Sequence, residues 1–314
     1  MSPKAGVVAL VGRPNAGKST LMNRLLPEKL AIVSDKPQTT RHVLVGILST
    51  ERGQMVFYDT PGMHRPLHRL NRQMVRSARE ALISADVVCL VVDASEPFGA
   101  GEAFMLDLVK AADVPRVLVL NKIDLMAKTR LLPRIEQYAK AVDFEEIVPT
   151  SALHGDGTDR VEEVLWSQMP EGPPLYDPEL LTIHPERFLA AERIREKVLD
   201  HTSRELPFTS AVLIEKWEDV PSGKLTRIYA TILVERPGQK KIVIGKGGGR
   251  IKAIGTAARL DLERYLERKV FLDLHVRVEP RWREKQRVLT SLDRELLTVG
   301  PGEEAFDPGP ADSS

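Results

Sequence analysis

The sequence contains the run Gly12-Arg13-Pro14-Asn15-Ala16-Gly17-Lys18-Ser19, which matches the pattern G-x-x-x-x-G-K-[ST]. Apolar residues 6–11 precede it and predict a buried strand, and residues 19–26 follow with apolar side chains at helical spacing. Glycines let successive backbone N–H groups face an anion, and the N-terminus of the following helix adds partial positive charge. This context favours a nucleotide phosphate site over a glycine turn that matches by chance. Lys18 would meet the β- and γ-phosphates, the Ser19 hydroxyl can bind Mg²⁺, and Thr20 joins the predicted contacts.

The composition is that of a folded chain with room for two domains. Of 314 residues, 42% are hydrophobic and 28% charged. The single cysteine, Cys89, lies in an apolar run and is predicted to be an inert core thiol. We find neither a signal-like start nor a run of transmembrane length, so we expect a cytoplasmic protein.

The charge is divided unevenly along the chain. Residues 1–180 carry 21 Lys and Arg against 23 Asp and Glu, residues 181–299 carry 24 against 17, and residues 300–314 carry none against 4. The net charge of +1 therefore conceals a basic C-terminal half, which predicts a polyanionic partner there.

Strands and helices alternate after the first loop. The predicted strands are 42–49, 54–58, 85–93, 116–120 and 146–149, and the predicted helices are 67–84, 101–112 and 159–168. The arginines of helix 67–84 are expected on a solvated face. This order predicts an α/β fold with a mixed, mostly parallel sheet flanked by helices and with ligand loops at the carboxyl ends of the strands.

The strand at 54–58 ends in Asp59-Thr60-Pro61-Gly62. An Asp at this edge can supply the carboxylate of a Mg²⁺ site, and the Gly62 N–H can reach a γ-phosphate. The preceding loop contains Pro37-Gln38-Thr39-Thr40-Arg41 and lacks periodicity, which predicts a mobile segment. The predicted metal ligands are Ser19, Asp59 and either Thr39 or Thr40, of which we favour Thr40.

The strand at 116–120 leads into Asn121-Lys122-Ile123-Asp124. An Asp124 carboxylate can accept hydrogen bonds from N1–H and the 2-amino group of guanine, whereas adenine has neither donor. Asn121 can bridge to the phosphate loop, and the Lys122 stem can cover the purine. After the last strand, a backbone N–H of Ser151-Ala152-Leu153 can reach the guanine carbonyl. Guanine specificity is favoured over a plain polar loop.

Proline and glycine are concentrated in residues 169–178, which excludes regular structure and predicts a linker. We predict a first domain at 1–169, the linker at 170–180, a second domain at 181–299 and a disordered acidic tail at 300–314. The second domain is predicted to contain helix 186–206, strands 210–218 and 226–235, an apolar run at 242–244, helix 249–268, strand 270–278 and helix 281–297.

The run Ile244-Gly245-Lys246-Gly247-Gly248 precedes an amphipathic helix and resembles the GxxG loop of a KH domain. In that loop the backbone clamps single-stranded RNA because no side chain blocks the phosphates. We expect the residues of this run, with Arg250 and Lys252, to contact RNA. A second phosphate loop is disfavoured since the G-K-[ST] ending is missing, and a flexible glycine turn is the simpler alternative. The element order resembles a type II KH domain.

Together these motifs resemble the Era family of bacterial GTPases over nearly the whole chain. The resemblance implies a P-loop NTPase domain followed by a smaller α+β KH domain, and hydrolysis of GTP with Mg²⁺. It implies a role in 30S ribosomal subunit assembly, with RNA near the 3′ end of 16S rRNA as partner. It also implies peripheral membrane association, for which we find no anchor. We expect a monomer.

The predicted catalytic residues are Lys18, Asn15 and Gly62. Met63 stands where the Ras-like scheme has a water-orienting Gln, and a thioether cannot orient water, so we expect slow intrinsic hydrolysis. Asn15 matches the phosphate-loop Asn with which related GTPases hold potassium, which suggests potassium stimulation. We assign no role to His64 or His68.

Two other functions fit the motifs. In one, the chain is an RNA-binding assembly factor in which GTP only stabilises a compact form. In the other, it is a GTPase that regulates a membrane or cell-cycle partner, and the glycine loop is structural. Normal RNA release by a hydrolysis-blocked variant would support the first alternative. Under the second, replacing Lys246 and Gly247 with Asp should leave the function of the partner intact, whereas an RNA-binding loop should lose RNA affinity.

Overall fold

Two β-sheets organise the structure, a computed structural model that describes residues 2–34, 36, 39–62, 69–202, 206, 209–221 and 223–297, without the side chains of 294–297. We call the unit around the six-stranded sheet the large unit and the unit around the three-stranded sheet the small unit. The predicted tail, the loop residues Pro37 and Gln38, and Met63, His64 and His68 lie outside the described residues.

The large unit alternates strands with helices, as predicted. Its sheet has the order β2-β3-β1-β4-β5-β6, and only β2 runs antiparallel to its neighbour. The elements are β1 (Lys4–Val11), α1 (Lys18–Leu25), β2 (Leu44–Thr50), β3 (Gly53–Asp59), α2 (Arg69–Ile83), β4 (Val87–Asp93), α3 (Ala100–Lys110), β5 (Arg116–Asn121), α4 (Leu131–Ala141), β6 (Glu146–Thr150) and α5 (Thr158–Gln168).

The central strands are apolar on both faces because helices cover both sides of the sheet. All of β1 after Lys4 is buried, and β4 is buried up to Asp93. Burial raises the pKa of the Cys89 thiol to about 12, in agreement with an inert core thiol. In the described part of the chain, no helix has the length and apolar character needed to cross a membrane.

The small unit packs helices on both faces of a sheet with the order β7-β8-β9. β7 is antiparallel to β8, and β9 is parallel to it. The alternating residues of β8 that face the helices are buried, including Ile228 and Ile232. The elements are α6 (Glu186–Asp200), β7 (Ala211–Asp219), β8 (Leu225–Val234), α7 (Pro237–Ile244), α8 (Gly249–Tyr265), β9 (Lys269–Val278) and α9 (Gln286–Leu297).

Several element predictions were incomplete. The sequence pattern did not reveal α4, in which Tyr138 is the fully buried residue. The run 242–244 belongs to α7, whose Pro237 occupies the first turn, where a missing N–H costs nothing. The helix predicted to reach Leu206 ends at Asp200, and the last helix begins at Gln286 rather than Arg281, whose φ of 51° is left-handed.

Residues 175–184, which begin in the predicted linker and continue past its predicted end at 180, lie against β2, the edge strand of the large sheet, and against the neighbouring strand β3. Val45 N–H donates to His184 Nε2 at 3.0 Å, and Ile47 N–H donates to the Leu181 carbonyl at 2.8 Å. The buried Gln54 side chain accepts the N–H groups of Leu175 and Tyr176, both at 2.8 Å. The segment therefore satisfies backbone groups that an edge strand would otherwise expose.

The two units also share an apolar cluster. Leu70 and Met74 of α2 pack there with Trp282, which is 0% exposed and donates its indole N–H to the Thr209 carbonyl at 2.8 Å. Arg41 reaches across as well, since its guanidinium donates to the Ser210 carbonyl at 2.7 Å. Residues close to the predicted nucleotide site thus contact the small unit directly.

Candidate functional site

The phosphate loop connects β1 to α1, and two of its glycines are required by geometry. Gly12 has a φ of 155°, and a Cβ there would lie 2.2 Å from the Val91 carbonyl oxygen. Gly17 has a φ of 98°, and its Cβ would lie 2.1 Å from Asn121 Nδ2. Since α1 begins directly after Gly17, free N–H groups of its first turn point toward the loop.

Lys18 is held over this loop. Its ammonium donates to the carbonyls of Gly12 at 3.2 Å and Arg13 at 3.1 Å, and the residue is 5% exposed. Burial lowers the pKa of Lys18, and the nearby Asp59 opposes that shift. A phosphate would supply the negative charge that this buried ammonium favours.

Ser19, Thr40 and Asp59 converge beside Lys18. Ser19 Oγ donates to Asp59 Oδ2 at 2.5 Å, and Thr40 Oγ1 lies 3.0 Å from Ser19 Oγ and 3.2 Å from Asp59 Oδ2. Asp59 Oδ1 is buried and has no hydrogen-bond partner among the described residues. The hydroxyl of Thr39 instead donates to the Lys36 carbonyl at 2.8 Å.

This oxygen set fits Mg²⁺. The ion is commonly bound through one or two protein oxygens, waters and substrate phosphates, and the orphaned carboxylate oxygen of Asp59 provides a place for added positive charge. Burial raises the pKa of Asp59, because desolvation disfavours its charged form. The described residues contain no group of three or more His, Cys, Asp and Glu side chains able to hold a metal, so nucleotide oxygens would complete the coordination.

The residues after Asp59 differ in what they face. Thr60 is 0% exposed, and its hydroxyl donates to the Leu10 carbonyl at 2.7 Å, so its side chain supports the end of the strand. Pro61 is also buried. Gly62 lies against the phosphate loop, where a Cβ would be 2.6 Å from both Cα and N of Pro14.

The predicted base-binding residues lie at the other end of the loop. Asn121 Nδ2 donates to the Ala16 carbonyl at 2.8 Å, and Ala152 N–H donates to Asn121 Oδ1 at 2.9 Å. Asn121 therefore fixes two loops relative to each other. Asp124 and Leu153 are exposed at the cavity rim, whereas Ser151 is buried within its turn.

Two residues missed in the sequence support this end of the site. Asp93 accepts a hydrogen bond from Lys122 Nζ at 2.7 Å, and Arg24 Nη2 donates to the Leu153 carbonyl at 2.6 Å. Asp93 ends β4 and could have been found by the signal that marked Asp59, an acidic residue at a strand's carboxyl end. Nothing in the sequence pattern singles out Arg24.

A cavity of about 420 Å³ joins the two ends of the site. Arg13 and Ala16 instead border a second cavity of about 310 Å³ behind the phosphate loop, where Arg13 pairs with the buried Glu102 at 2.5 Å. The predicted residues that line the first cavity are Pro14, Asn15, Gly17, Lys18, Ser19, Thr20, Thr39, Thr40, Gly62, Asn121, Lys122, Asp124 and Leu153.

The second glycine loop joins α7 to α8. Gly245, Gly247 and Gly248 have φ angles of 73°, 58° and 78°, and a Cβ on Gly247 or Gly248 would meet no atom within 4 Å. The loop backbone is therefore accessible from outside. Lys246 and Lys252 are exposed beside it.

Two predicted contacts at this loop have other partners. Ile244 packs against the core of the small unit. Arg250 is exposed, but its guanidinium donates to the Ile242 carbonyl near the end of α7. Basic side chains beside an open backbone loop can bind a phosphodiester chain.

Comparisons with known proteins agree with both halves. Residues 7–122 match the family model described as 50S ribosome-binding GTPase, and residues 205–283 match the KH domain model. The chain is 44% identical over 288 residues to GTPase Era of Heliobacterium modesticaldum, covering 92% of this chain and 96% of that protein. It is 48% identical over 291 residues to GTPase Era of Leuconostoc citreum, with the same coverage of 92% and 96%.

Two solved structures resemble the whole chain, each at 38% identity with 92% of this chain and 98% of the other covered. An Era variant from Aquifex aeolicus bound to GDP·AlF4⁻ superposes with a TM-score of 0.88. Era in complex with MgGDPNP and nucleotides 1506–1542 of 16S ribosomal RNA gives a TM-score of 0.89.

Proposed function

Because this chain belongs to the Era family of GTPases, we propose that its cavity binds Mg²⁺·GTP and that its second glycine loop binds single-stranded RNA. The observation that carries the nucleotide assignment is the convergence of Ser19, Thr40 and Asp59 under the phosphate loop, with one carboxylate oxygen of Asp59 unpartnered among the described residues. The protein is a GTPase that converts GTP and water to GDP and phosphate.

The geometry supports the following nucleotide contacts. Lys18 and the N–H groups that open α1 would meet the phosphates, and the N–H of Gly62, which lies against the phosphate loop, would meet the γ-phosphate. Ser19, Thr40 and Asp59 would hold Mg²⁺, and the contacts of the Thr40 hydroxyl with Ser19 and Asp59 support Thr40 over Thr39. When bound, the ion neutralises charge that develops on the phosphate oxygens.

The proposal includes a potassium ion held by Asn15. Its φ of 64° places it at the turn of the phosphate loop and at the cavity wall. We expect hydrolysis to be faster in potassium than in sodium buffer at equal ionic strength, and an Asn15→Ala variant to lose that difference. Equal wild-type rates in the two salts would remove potassium from the mechanism.

For the RNA site, the proposed ligand is a single strand from the 3′ region of 16S rRNA, as in the solved Era complex. The accessible backbone of Gly247 and Gly248 and the exposed Lys246 and Lys252 support this proposal. From that partner we propose a cytoplasmic factor in 30S subunit assembly, and the monomeric state stays a prediction. Peripheral membrane association stays a prediction of the family resemblance.

The test is RNA affinity, measured with a 16S 3′-end oligonucleotide in GDP, in a non-hydrolysable GTP analogue and without nucleotide. Tighter binding with the analogue supports a switch, and equal binding in all states supports a passive assembly factor. Lys246→Asp combined with Gly247→Asp should weaken RNA binding and reduce its salt dependence, whereas Lys110→Asp, on α3 of the large unit, should change neither. Absence of binding in every state would overturn the RNA proposal and direct attention to a membrane or protein partner.

A further inference from the structure

Helix α6 of the small unit forms a hydrogen bond to the loop that carries Thr40. Arg195 is 1% exposed, and its Nη2 donates to the Thr39 carbonyl. The same guanidinium is oriented by Glu192, which accepts from Arg195 Nε at 2.8 Å and from Nη2 at 2.6 Å. Such a forked pair fixes the plane of the guanidinium, so the peptide between Thr39 and Thr40 is held from outside the large unit.

The start of the same loop is held one residue further along α6. Glu196 is 2% exposed and accepts hydrogen bonds from Lys29 Nζ at 2.6 Å and Val33 N–H at 2.9 Å. Arg193 donates to the Lys29 carbonyl at 2.9 Å. The described parts of the segment from 29 to 40 are thus anchored at both ends to one helix.

The opposite side of α6 packs against α8, the helix that begins at the second glycine loop. Ile194 of α6 and Ala258 of α8 are both 0% exposed in the core they share. Arg193 also reaches α8, where its Nη1 lies 3.3 Å from Asp261 Oδ2 and its guanidinium lies 4.1 Å from the Tyr265 ring centre. One helix therefore contacts both the loop that carries Thr40 and the helix that follows the second glycine loop.

We propose that Arg195 is a positioning residue for Mg²⁺·GTP, and that it acts by holding the Thr39 carbonyl so that the Thr40 hydroxyl faces Ser19 and Asp59. This inference rests on the proposed nucleotide site and adds a residue from the small unit to it. Without Arg195, Thr40 must be ordered by the metal and the nucleotide alone. In GTPases that loop is ordered by contacts with the γ-phosphate and Mg²⁺. Loss of Arg195 should therefore weaken Mg²⁺ binding in the GTP form and leave the GDP form unchanged.

The experiment measures the Mg²⁺ dependence of GTP hydrolysis and of GDP binding in the full chain. Arg195→Met should raise the half-saturating Mg²⁺ concentration for hydrolysis about tenfold, the effect of losing one charge-assisted hydrogen bond. The Mg²⁺ dependence of GDP binding should not change, which also shows that the variant is folded. Arg195→Lys retains a donor for the Thr39 carbonyl, so its half-saturating Mg²⁺ concentration for hydrolysis should lie between those of the wild type and Arg195→Met. Arg264→Met is the control, because that side chain is 78% exposed on α8.

A double-mutant cycle with Thr40→Ala separates positioning from general stability. If Arg195 acts through Thr40, adding Arg195→Met to Thr40→Ala should cause little further change. Full additivity, an equal shift in the GDP measurement or a wild-type Mg²⁺ response in Arg195→Met would overturn the inference. Failure of the wild-type protein to hydrolyse Mg²⁺·GTP would instead refute the proposed function, and the two failures are therefore distinguishable.

Discussion

At the scale of single residues, the nucleotide site depends on close backbone approaches that a side chain would block. Gly12 and Gly17 allow the phosphate loop to pass the Val91 carbonyl and the Asn121 amide. Gly62 allows the loop after β3 to touch Pro14, and its constraint is space alone. These contacts set the distance between the phosphate loop and the segment expected to meet the γ-phosphate.

Gly62→Ala should therefore slow hydrolysis. The new Cβ would lie 2.6 Å from the Pro14 backbone, which cannot move aside as a flexible side chain can. We expect kcat to fall roughly ten- to hundredfold, as for a displacement of about 1 Å at a reacting centre, with GDP affinity retained. Gly172→Ala is the matched control, since its Cβ would meet no atom within 4 Å. Unchanged kcat in Gly62→Ala would show that this approach is dispensable.

Asp124→Asn tests the guanine contact. The amide would present a donor where the carboxylate accepts, so GTP binding should weaken by about 1–3 kcal/mol, or roughly five- to 150-fold. Affinity for a xanthosine nucleotide should rise relative to GTP, because xanthine has a carbonyl in place of the 2-amino group. Titration with fluorescent nucleotides gives both values. Asp143→Asn, at an exposed position outside the cavity lining, should leave both unchanged; retention of GTP preference by Asp124→Asn would exclude the predicted base contact.

At the scale of elements, residues 181–184, which lead from the linker into α6, accept hydrogen bonds from the edge strand β2. His184 accepts the Val45 N–H through Nε2, which requires a neutral ring. Its ring also lies 5.0 Å from that of Phe188, at the start of α6. These residues therefore pack against both units in addition to linking them covalently.

His184 should make stability fall with decreasing pH. Burial lowers its pKa to about 4, whereas the unfolded chain titrates near the ordinary value of about 6.5. As pH falls from 6.5 to 4 the unfolded state binds the proton first, so the free energy of unfolding should decrease by up to about 3 kcal/mol. His184→Gln should flatten this dependence in denaturant titrations, and His201→Gln, at an exposed histidine, should not. Parallel curves for wild type and His184→Gln would contradict the assignment.

At the scale of the whole molecule, elements that flank the nucleotide site are built into the contacts between the units. Helix α2 begins seven positions after Gly62, and its Leu70 and Met74 pack with Trp282. Arg41, just after Thr40, donates to Ser210, and its burial lowers its pKa to about 9. A nucleotide-dependent rearrangement of either segment must alter contacts with the small unit.

Met74→Ala should increase local opening of helix α9 in the small unit, even though Met74 belongs to the large unit. Met74 is 3% exposed, and the substitution should cost about 2–5 kcal/mol of stability. Because Val288 and Leu289 of α9 share its cluster, their amides should exchange faster with solvent. Met55→Ala removes the same atoms from a fully buried position inside the large unit and serves as control. Equal exchange in α9 for the two variants would show that the cluster does not couple the units.

The sequence alone determined the two architectures and most of the candidate site, because those features are written in local patterns. Gly12 to Ser19, Asp59 to Gly62 and Asn121 to Asp124 are contiguous motifs, and a parallel sheet brings its strand ends to one edge. Helix α4 was not predicted although its apolar residues lie on one face, and the short run at 242–244 did not reveal α7. A run of three apolar residues is too short for its periodicity to distinguish a helix from a strand.

Tertiary structure decided the contacts between residues distant in the chain. Thr39 and Thr40 are equivalent in sequence, and only packing turns one hydroxyl to Lys36 and the other to Asp59. Arg195 contacts the Thr39 carbonyl 156 positions away in the sequence. The periodicity of α6 does not predict that partner. Helical and strand patterns report which face of an element is buried, whereas the identity of the group buried against it depends on how the completed elements pack.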